Sequence, residues 1–411
     1  MISVRDALDC VLRELPRLGG EQVPLAQARG RVLAEQIQAP YDVPPFRNSA
    51  MDGYAVRSAD LVSAGSTKPV RLRVLETVGA GYVATQAVIP GTAIRIMTGA
   101  PVPAGADAVV RVEDTTEGGD SVAVRIAPVA GACIREAGED LRQGDQVLAP
   151  GRWLRPADIG LVASLGRAVV RVARRPRVAI LATGDELVDL GQPLQPGQIV
   201  NSNAYMLAAA VEEAGGAPLL LGIIRDDLAS LRAAFADAFA ADMVLSTGGV
   251  SVGNFDYVRP ILRDLGYDER FWQVAQKPGK PLSFGRRGET PAFGLPGNPV
   301  SALVCFYIYV LPALRAMMGM ERLFLPSAVA TMAERVRKAQ GLTEFIRCTL
   351  DGSPDRYAAR STGTQSSGVL RSLSLGDALI VGPPEAGTLE SGEKVRVVLL
   401  APEAGSVDAP V

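Results

Sequence analysis

A glycine-rich loop with polar side chains is the clearest candidate site in this 411-residue sequence. It reads STGGVSVGNFDY at residues 246–257 and follows a short apolar run. Because glycine has no Cβ, the backbone N–H groups of such a loop can turn toward an anion such as phosphate. Asp256 adds a carboxylate of the kind that Mg²⁺ binds together with water and ligand oxygens. The loop lacks the lysine of a P-loop, so the sequence predicts an anion site built mainly on backbone amides.

The chain contains no histidine, which removes several classes of catalysis. Ser-His-Asp and Cys-His nucleophiles, histidine general bases and zinc sites that need imidazole are all excluded. Hard-cation sites made of carboxylates and hydroxyls remain open. Phosphate chemistry that relies on lysine, backbone amides and Mg²⁺ also remains open.

Two acidic loops precede the glycine-rich loop, and each follows an apolar run. TGDEL places Glu186 after VAILA, and RDD places Asp226 and Asp227 after PLLLGII. The alternation of strand, loop and helix over residues 178–246 predicts a parallel, doubly wound sheet with ligands at the carboxyl ends of its strands. The three loops should therefore meet at one edge, although each aspartate taken alone also fits an ordinary helix N-cap.

Two further segments could bind anions. QKPGKPLSFG at 276–285 predicts a stiff turn that carries Lys277 and Lys280, and a solvated turn is the alternative. One ammonium about 4 Å from an anion gains roughly 4 kcal/mol at an effective dielectric near 20, before desolvation is counted. In GLPGNPVSALV, Asn298 is a candidate N-cap and Pro299 fits the first helical position, so free amides of a helix N-terminus should be exposed there.

The remaining elements must position these loops. Periodicity predicts an N-terminal helix capped by Ser3, a second helix over PLAQARGRVLAEQIQ at 24–38, and a helix at 156–166. Short alternating runs separated by glycine and proline predict a β-rich module at about 46–145 and a small barrel or sandwich in the last 85 residues. The apolar segment 300–318 is interrupted by Pro312 and Arg315, which favours a buried helix over a membrane span.

Composition limits the partners and the compartment. A net charge of −2 argues against a general binder of nucleic acid or of anionic membranes. The four cysteines form no CxxC pair, which is typical of reduced thiols in a cytoplasmic protein. We therefore expect a cytoplasmic protein with no nucleic-acid or membrane partner.

Taken together, the loops resemble those of the MoeA and gephyrin E-domain family of molybdopterin molybdenumtransferases. The similarity extends over essentially the whole chain, and the matching segments follow the order of the family. They are NSAMDGYA, IMTGAPVPAGADAVV, REAGEDL, ATGDEL, NSNAYML, STGGVSVGNFDY, KPGKPLSFG, LPGNPVSA and GTQSSGVLRSL.

The resemblance implies a multidomain α/β protein with all-β modules. Its parts would be a linker domain in two segments, an inserted β-rich domain, a doubly wound molybdopterin-binding α/β domain and a C-terminal β-barrel-like domain. In chain order the expected segments are 1–45 (linker), 46–145 (inserted), 146–176 (linker), 177–325 (α/β) and 326–411 (C-terminal). The implied assembly is an elongated homodimer with the active site in a cleft between subunits.

The implied reaction converts adenylylated molybdopterin and molybdate into molybdenum cofactor, with release of AMP and a requirement for Mg²⁺. Such a reaction needs no histidine, because the substrates bring the leaving phosphate, the dithiolene sulfurs and the oxyanion. A molybdopterin adenylyltransferase and molybdoenzyme maturation proteins are expected as further partners.

The resemblance also assigns roles to individual residues. Asp52, Thr98 and Asp140 would complete the cleft from the inserted domain. Glu186, Asp226 and Asp256 would bind Mg²⁺, its water or the nucleotide. The amides of Gly248 and Gly249, with Ser251, would hold phosphate, and Lys277 and Lys280 would bind molybdate or the pterin phosphate. The pterin pocket would be shaped by Pro296, Gly297, Asn298 and Pro299, and the rim by Arg347 and Ser366.

Two alternatives belong to different functional classes. A molybdopterin adenylyltransferase shares similar TGG and PGNP loops, but a free-standing one would need neither the MDGY module nor the C-terminal β-domain. A non-catalytic scaffold is suggested by gephyrin, although this chain has no long Ser/Pro-rich linker. Consumption of ATP with release of pyrophosphate would favour the first alternative.

Overall fold

The computed structural model describes residues 1–248, 255–353 and 356–400, without the side chains of 255–257. The chain begins with helix α1 (Val4–Arg13), and the Ser3 side chain caps it by accepting a hydrogen bond from the amide of Asp6, as predicted. Ala7 and Val11 on the buried face of α1 pack into the core of the later α/β sheet. Strands β1 (Gly20–Pro24) and β2 (Ile37–Gln38) follow.

The predicted helix over residues 24–38 is wrong. The structure contains only a 3₁₀ turn at Leu25–Gln27 before the chain becomes extended. Val32 and Leu33 are buried and form isolated bridges to Trp153 and Val172. Those long-range pairings bury both side chains and take the place of the local hydrogen bonds that a helix would have made.

The inserted β-rich module is confirmed. Its main sheet has six strands in the order β7-β4-β6-β5-β9-β8, and β5 runs parallel to β6 while the other neighbours are antiparallel. Apolar clusters cover both faces of this sheet. The strands of the module are β3 (Asn48–Ser49), β4 (Gly53–Val56), β5 (Val70–Val78), β6 (Thr92–Ile96), β7 (Ala108–Arg111), β8 (Thr115–Glu117), β9 (Ser121–Val124) and β10 (Ile134–Arg135).

The chain then returns to its N-terminal segment. Strand β11 (Gln146–Leu148) pairs with β2, and β12 (Val169–Ala173) pairs with β1. Between them lies helix α2 (Pro156–Ser164), in the place where the sequence predicts a helix. These pairings join the two segments on either side of the β-rich module.

The doubly wound sheet is confirmed. Its strand order is β16-β13-β17-β21-β20-β18. The first four strands run parallel to one another, and β20 pairs antiparallel with both β21 and β18. In strand β13, Val178 and Ile180 enter one apolar cluster and Ala179 and Leu181 another, so helices cover both faces. The elements are β13 (Arg177–Thr183), β14 (Leu187–Val188), β15 (Ile199–Val200), α3 (Ser202–Glu213), β16 (Ala217–Ile224), α4 (Leu228–Ala238), β17 (Met243–Thr247), α5 (Phe255–Asp264), β18 (Asp268–Trp272), β19 (Gln276–Lys277), β20 (Ser283–Arg287) and β21 (Thr290–Leu295).

A continuous helix from Pro299 to Met317 follows β21, and we call it the long helix. It comprises α6 (Pro299–Cys305), a π-helical turn at Phe306–Val310 and α7 (Leu311–Met317). Within the described residues it is the one helix long and apolar enough to cross a membrane, with a mean hydropathy of 1.8, but 72% of that window is buried in the protein. It is therefore a core helix, as the sequence predicts.

The C-terminal region is a closed barrel. Strands pair in the order β24-β25-β22-β28-β26, and β26 pairs again with β24. Strand β19 from the α/β region adds to β24 in parallel. The elements here are β22 (Ser327–Met332), β23 (Val336–Arg337), β24 (Thr343–Asp351), β25 (Tyr357–Ser361), α8 (Arg371–Ser374), β26 (Ala378–Gly382), β27 (Thr388–Leu389) and β28 (Lys394–Leu399).

Asp242 connects the segment after β12 to the α/β sheet. Its carboxylate accepts two hydrogen bonds from the Arg174 guanidinium, at 2.7 and 2.9 Å, and one from the Arg177 amide at 2.7 Å. Burial alone raises the pKa of Asp242, but these bonds outweigh that effect and lower it overall. The ionised form is thus favoured in the folded protein.

We expect Asp242→Asn to destabilise the folded chain at neutral pH, because the charged hydrogen bonds to Arg174 and Arg177 are weakened. The expected loss is only about 1–2 kcal/mol, since the guanidinium is partly exposed and screened by solvent. Since the folded pKa is depressed, the stabilisation is complete above about pH 4 and disappears as pH falls through the lowered pKa. Denaturant unfolding at several pH values measures this, with the exposed Asp237→Asn as matched control. An equal effect of both substitutions at neutral pH would contradict the prediction.

Candidate active site

A cavity of about 540 Å³ lies at the carboxyl ends of β13 and β17, beside the first residues of α3 and of the long helix. This volume suits a small-molecule ligand. Ligands of doubly wound sheets bind at this edge. The described lining residues are Thr183, Glu186, Leu187, Ile199, Val200, Asn201, Ser202, Asn203, Thr247, Gly248, Gly297, Asn298, Pro299 and Gly368.

The ends of β13 and β17 approach each other at Gly248. Its φ is +84°, and a Cβ at this position would lie 2.3 Å from the carbonyl oxygen of Thr183. Only glycine satisfies both the left-handed backbone and the close approach. Gly248 therefore permits the sharp turn at the end of β17, while its role in holding phosphate stays a prediction. Gly249 and Ser251 lie outside the described residues, as does the side chain of Asp256.

The Asn203 side chain ties three loops together at the bottom of the cavity. Its amide nitrogen donates to Thr247 Oγ1 at 2.9 Å and to the Gly297 carbonyl at 2.7 Å. The Thr247 hydroxyl in turn donates to the Pro296 carbonyl at 3.4 Å. One residue near the start of α3 thereby fixes the end of β17 and the PGN turn relative to each other.

Two buried oxygen atoms at the cavity have no hydrogen-bond partner among the residues that the structure describes. They are Thr183 Oγ1 and Asn203 Oδ1. A buried polar atom without a partner costs about 1–3 kcal/mol, so these atoms are suited to a ligand, a water or a cation.

The cavity combines a positive backbone field with one carboxylate. Asn201 caps α3, and the long helix begins at Pro299 after Asn298, so two helix N-termini face the same space. Free amides and the helix dipole favour an anion there. Glu186 is exposed and is the one charged side chain among the described lining residues, none of which is lysine or arginine.

The second acidic loop lies at the same sheet edge but does not line the cavity. The Asp226 amide donates to Asp185 Oδ1 at 3.4 Å, so this loop contacts the loop that carries Glu186. Asp227 caps α4 by accepting a hydrogen bond from the Ser230 amide at 2.8 Å, the N-cap role that was the alternative for these aspartates. Among the residues described here, no group of three or more acidic or cysteine side chains is placed to hold a metal ion by itself.

The two predicted lysines lie on a turn beside the barrel, outside the described cavity lining. Lys277 Nζ is 2.8 Å from Glu344 Oε1, and the Glu344 side chain is only 3% exposed. Lys280 is exposed, and no acidic partner within 4 Å of it is found in the described part of the chain. The two ammonium groups are therefore in different electrostatic environments.

The C-terminal region closes the cavity on one side through Gly368. The Ser367 carbonyl accepts a hydrogen bond from the Val300 amide in the first turn of the long helix. Ser366, predicted at the rim, is exposed.

Arg347, also predicted at the rim, is fully buried instead. Its guanidinium donates to the carbonyls of Thr364, Gln365 and Ser366 at 3.0–3.2 Å and so fixes the backbone of the turn at 364–366 from its buried side. Converging carbonyl oxygens make burial of this charge tolerable.

The predicted residues of the inserted module lie apart from the cavity lining. Asp52 and Thr98 contact each other directly: Asp52 Oδ1 accepts from the Thr98 hydroxyl at 2.6 Å and from its amide at 2.7 Å. Asp140 is exposed on another loop of the same module. The structure thus brings together Glu186, Gly248 and the PGNP turn, and it places Asp52, Thr98 and Asp140 elsewhere on the chain.

Sequence reasoning assigned no role to Thr183 or Asn203, although both lie inside quoted motifs. Their positions in the motifs ATGDEL and NSNAYML could have indicated a role, because each motif lies where a strand or helix meets the predicted ligand edge. A polar residue at such a boundary normally serves as a cap, and the unpartnered oxygens become evident only in three dimensions.

Family models match the chain in three consecutive parts. The MoeA N-terminal region (domain I and II) matches residues 2–166, a probable molybdopterin binding domain matches residues 179–316, and the MoeA C-terminal region (domain IV) matches residues 329–400.

Named relatives and a solved structure agree with these matches. The chain is 42% identical to molybdopterin molybdenumtransferase 2 of Mycobacterium tuberculosis, over 91% of this chain and 94% of that protein. It is 40% identical to molybdopterin molybdenumtransferase of a Nostoc species, over 97% and 94% of the two chains. The crystal structure of the molybdopterin biosynthesis moeA protein from Pyrococcus horikoshii superposes with a TM-score of 0.84 at 33% identity, over 97% of this chain and 100% of that one.

The contact between Thr98 and Asp52 yields a titration test. Hydrogen bonds from the Thr98 side chain and amide hold the pKa of Asp52 below its usual value. We expect Thr98→Val to raise that pKa, because the hydroxyl donor is lost while the amide remains. Carboxyl NMR titration measures it, and the exposed Thr116→Val in the same module is the control. An unchanged Asp52 titration in Thr98→Val would show that the contact is absent in solution.

Proposed function

Because this chain belongs to the MoeA family, we propose that it inserts molybdenum into molybdopterin, the reaction named in its relatives. In the finer form of the proposal, the pterin substrate is adenylylated and the metal arrives as molybdate. AMP leaves as the product molybdenum cofactor forms. The observation that carries the proposal is the cavity, which brings together two helix N-termini, the Gly248 turn and two buried oxygens without a partner among the described residues.

The charges of the cavity suit a nucleotide-capped pterin held together with a cation. Backbone amides and helix dipoles attract the phosphates, whereas the Glu186 carboxylate would repel them if no cation lay between. Thr183 Oγ1, Asn203 Oδ1 and Glu186 are oxygen donors of the kind that Mg²⁺ prefers. These residues fit Mg²⁺, which would neutralise charge that develops on the leaving phosphate.

In this proposal the protein contributes position and charge more than covalent chemistry. Asn203 and Thr247 keep the PGN turn fixed, so that the pterin end has one orientation. Gly297, Asn298 and Pro299 line the wall beside it. Prior positioning of reacting groups, together with fixed dipoles, is how phosphoryl chemistry is generally accelerated.

Lys277 and Lys280 are proposed to capture molybdate, a dianion that suits paired ammonium groups. Lys277 has the buried carboxylate of Glu344 as a fixed neighbour, which holds its position but offsets part of its charge. Lys280 is exposed and, among the described residues, has no acidic partner within 4 Å that would compete with the oxyanion. The two lysines therefore complement a cavity whose described lining contains no basic side chain.

The deciding experiment is an anaerobic assay of AMP release from adenylylated molybdopterin. We expect release that requires both molybdate and Mg²⁺ and that yields molybdenum cofactor, detected by activation of an apo-molybdoenzyme. Consumption of ATP with formation of pyrophosphate would instead indicate an adenylyltransferase. Absence of molybdate-dependent AMP release would overturn the proposal.

Glu186→Gln tests the acidic side of the cavity. The substitution keeps the shape of the side chain and removes the charge that would hold Mg²⁺. We therefore expect the rate of AMP release at fixed Mg²⁺ to fall by about 10²-fold or more, which is typical when a catalytic electrostatic contact is removed. Partial recovery at high Mg²⁺ would follow from weakened metal binding. Glu212→Gln on α3 is the matched control, because Glu212 is exposed and does not line the cavity. Equal rates in wild type and Glu186→Gln would remove Glu186 from the mechanism.

We further propose that the functional unit is a homodimer, in which the partner's inserted module would supply the Asp52, Thr98 and Asp140 loops. Strand β16 supports this, since it is the edge strand of the α/β sheet and carries three consecutive leucines that are each 37–45% exposed. Long apolar edge strands are rarely left uncovered in stable proteins. A molybdopterin adenylyltransferase and maturation proteins remain proposed further partners.

Leu220→Glu tests this assembly. A carboxylate on the uncovered edge strand should shift the protein from dimer to monomer in sedimentation velocity experiments, because burial of an unpaired charge is costly. Leu375→Glu introduces the same charge at a similarly exposed leucine of the C-terminal region and serves as control. The prediction is contradicted if wild type is monomeric, or if Leu220→Glu remains dimeric.

A further inference from the structure

The turn that carries Lys277 and Lys280 is held from its buried side by Gln276. The Gln276 side chain is fully buried, and its Nε2 donates to the carbonyls of Pro278 at 3.1 Å and Gly279 at 3.3 Å. Both lysines are exposed. One amide group thus binds the inward side of the turn while the ammonium groups face outward.

Tyr309 fixes the orientation of that amide. Its buried hydroxyl donates to Gln276 Oε1 at 2.5 Å. In the opposite orientation the amide oxygen would face two carbonyl oxygens, neither of which has a hydrogen to donate. The pair therefore has one arrangement in which every buried group is satisfied, and in that arrangement Gln276 supports the turn.

Close packing further limits the turn. Gly279 has a φ of +91°, and a Cβ added there would lie 2.5 Å from the sulfur of Cys305. The Lys280 carbonyl accepts hydrogen bonds from the amides of Val274 and Leu282, both at 3.0 Å. The backbone on both sides of the outward lysines is accordingly fixed by buried contacts.

Tyr309 and Cys305 belong to the long helix, whose first residues line the cavity. Tyr309 lies in the π-helical turn Phe306–Val310, and π-helical turns within α-helices occur frequently at functional sites. It follows Pro299 by ten residues, which places it about 15 Å along the helix axis from the cavity end. A single helix therefore supports the lysine turn and also forms part of the cavity wall.

We propose that Tyr309 and Gln276 are positioning residues for molybdate capture, acting through the backbone of the Lys277–Lys280 turn. This inference rests on the proposed function, since it assigns molybdate to that turn. Neither residue touches the anion; together they fix the separation and direction of the two ammonium groups. Their loss should weaken use of molybdate while leaving use of the pterin substrate intact.

The test is the dependence of AMP release on each substrate in Tyr309→Phe and Gln276→Leu. For Tyr309→Phe we expect the molybdate concentration at half-maximal rate to rise about three- to tenfold, as expected for loss of one buried hydrogen bond. The rate at saturating molybdate and the KM for adenylylated molybdopterin should stay within about twofold of wild type. Gln276→Leu removes both donors to the turn, so its molybdate requirement should rise further. Lys280→Ala provides the reference for direct loss of an ammonium group.

Tyr307→Phe is the matched control. Tyr307 lies in the same π-helical turn but is only partly buried, and its hydroxyl has no hydrogen bond to the turn. Hydrogen exchange of the peptide spanning 274–283 gives a second readout that does not need activity. We expect faster exchange in Tyr309→Phe than in Tyr307→Phe, because the turn loses its support.

The outcomes separate this inference from the function on which it rests. If Tyr309→Phe lowers Tm but leaves the molybdate requirement equal to that of Tyr307→Phe, the pair serves stability alone and the inference is overturned. An unchanged requirement in Lys280→Ala and Lys277→Ala would also overturn it, because the turn would then not be the molybdate site, while molybdate-dependent AMP release would still stand. If wild type shows no such release, the proposed function fails, and the role assigned to the pair fails with it.

Discussion

The Asn203 amide is the contact on which the geometry of the cavity depends. It binds Thr247 at the end of β17 and the Gly297 carbonyl in the turn before the long helix, so two sequence-distant loops share one anchor. Each bond contributes about 1 kcal/mol net, but loss of the donor would also remove a partner of the buried Thr247 hydroxyl. The amide oxygen of the same side chain is buried and has no partner among the described residues, and Asn203 lines the cavity. One side chain therefore sets both the shape of the cavity and part of its chemistry.

Separation of charges between the cavity and the lysine turn is the second constraint. In the proposed function, a nucleotide-bearing ligand in the cavity would meet amide dipoles and one carboxylate, whereas the ammonium groups lie on a turn outside the described cavity lining. Dipoles of fixed amides need no mobile side chain, so they cost little conformational entropy when the ligand binds. The lysine side chains, in contrast, would lose rotational freedom about several bonds on binding an anion. The hydrogen bonds from Gln276 to the turn reduce the backbone part of this entropy cost, because the backbone is already fixed before the anion binds.

The sequence predicted the elements that obey local rules and missed those that depend on distant partners. The strand ends and the Ser3 cap follow from periodicity and capping preference. Asn298 precedes the long helix as predicted, but its side chain makes no capping hydrogen bond there. The segment 24–38 has apolar spacing that fits a helix, yet its strand-like pairings to residues far along the chain prevail. The burial of Arg347 and the ion pair of Lys277 with Glu344 were equally inaccessible, because the carbonyls and the carboxylate involved come from other parts of the chain.

The long helix gives these parts a common frame. Ala302, Cys305, Phe306 and Tyr309 pack into the core of the α/β sheet, while Val300 and Val304 pack against Phe345 and Leu379 of the barrel. A helix that is apolar all round is stable only when it is covered on every side, so the barrel completes a burial that the sheet alone leaves unfinished. The Val300 amide also binds the Ser367 carbonyl, which ties the barrel turn to the first residues of the same helix. The α/β domain and the barrel therefore form one structural unit around the cavity, and the barrel belongs to the site through packing as well as through Gly368.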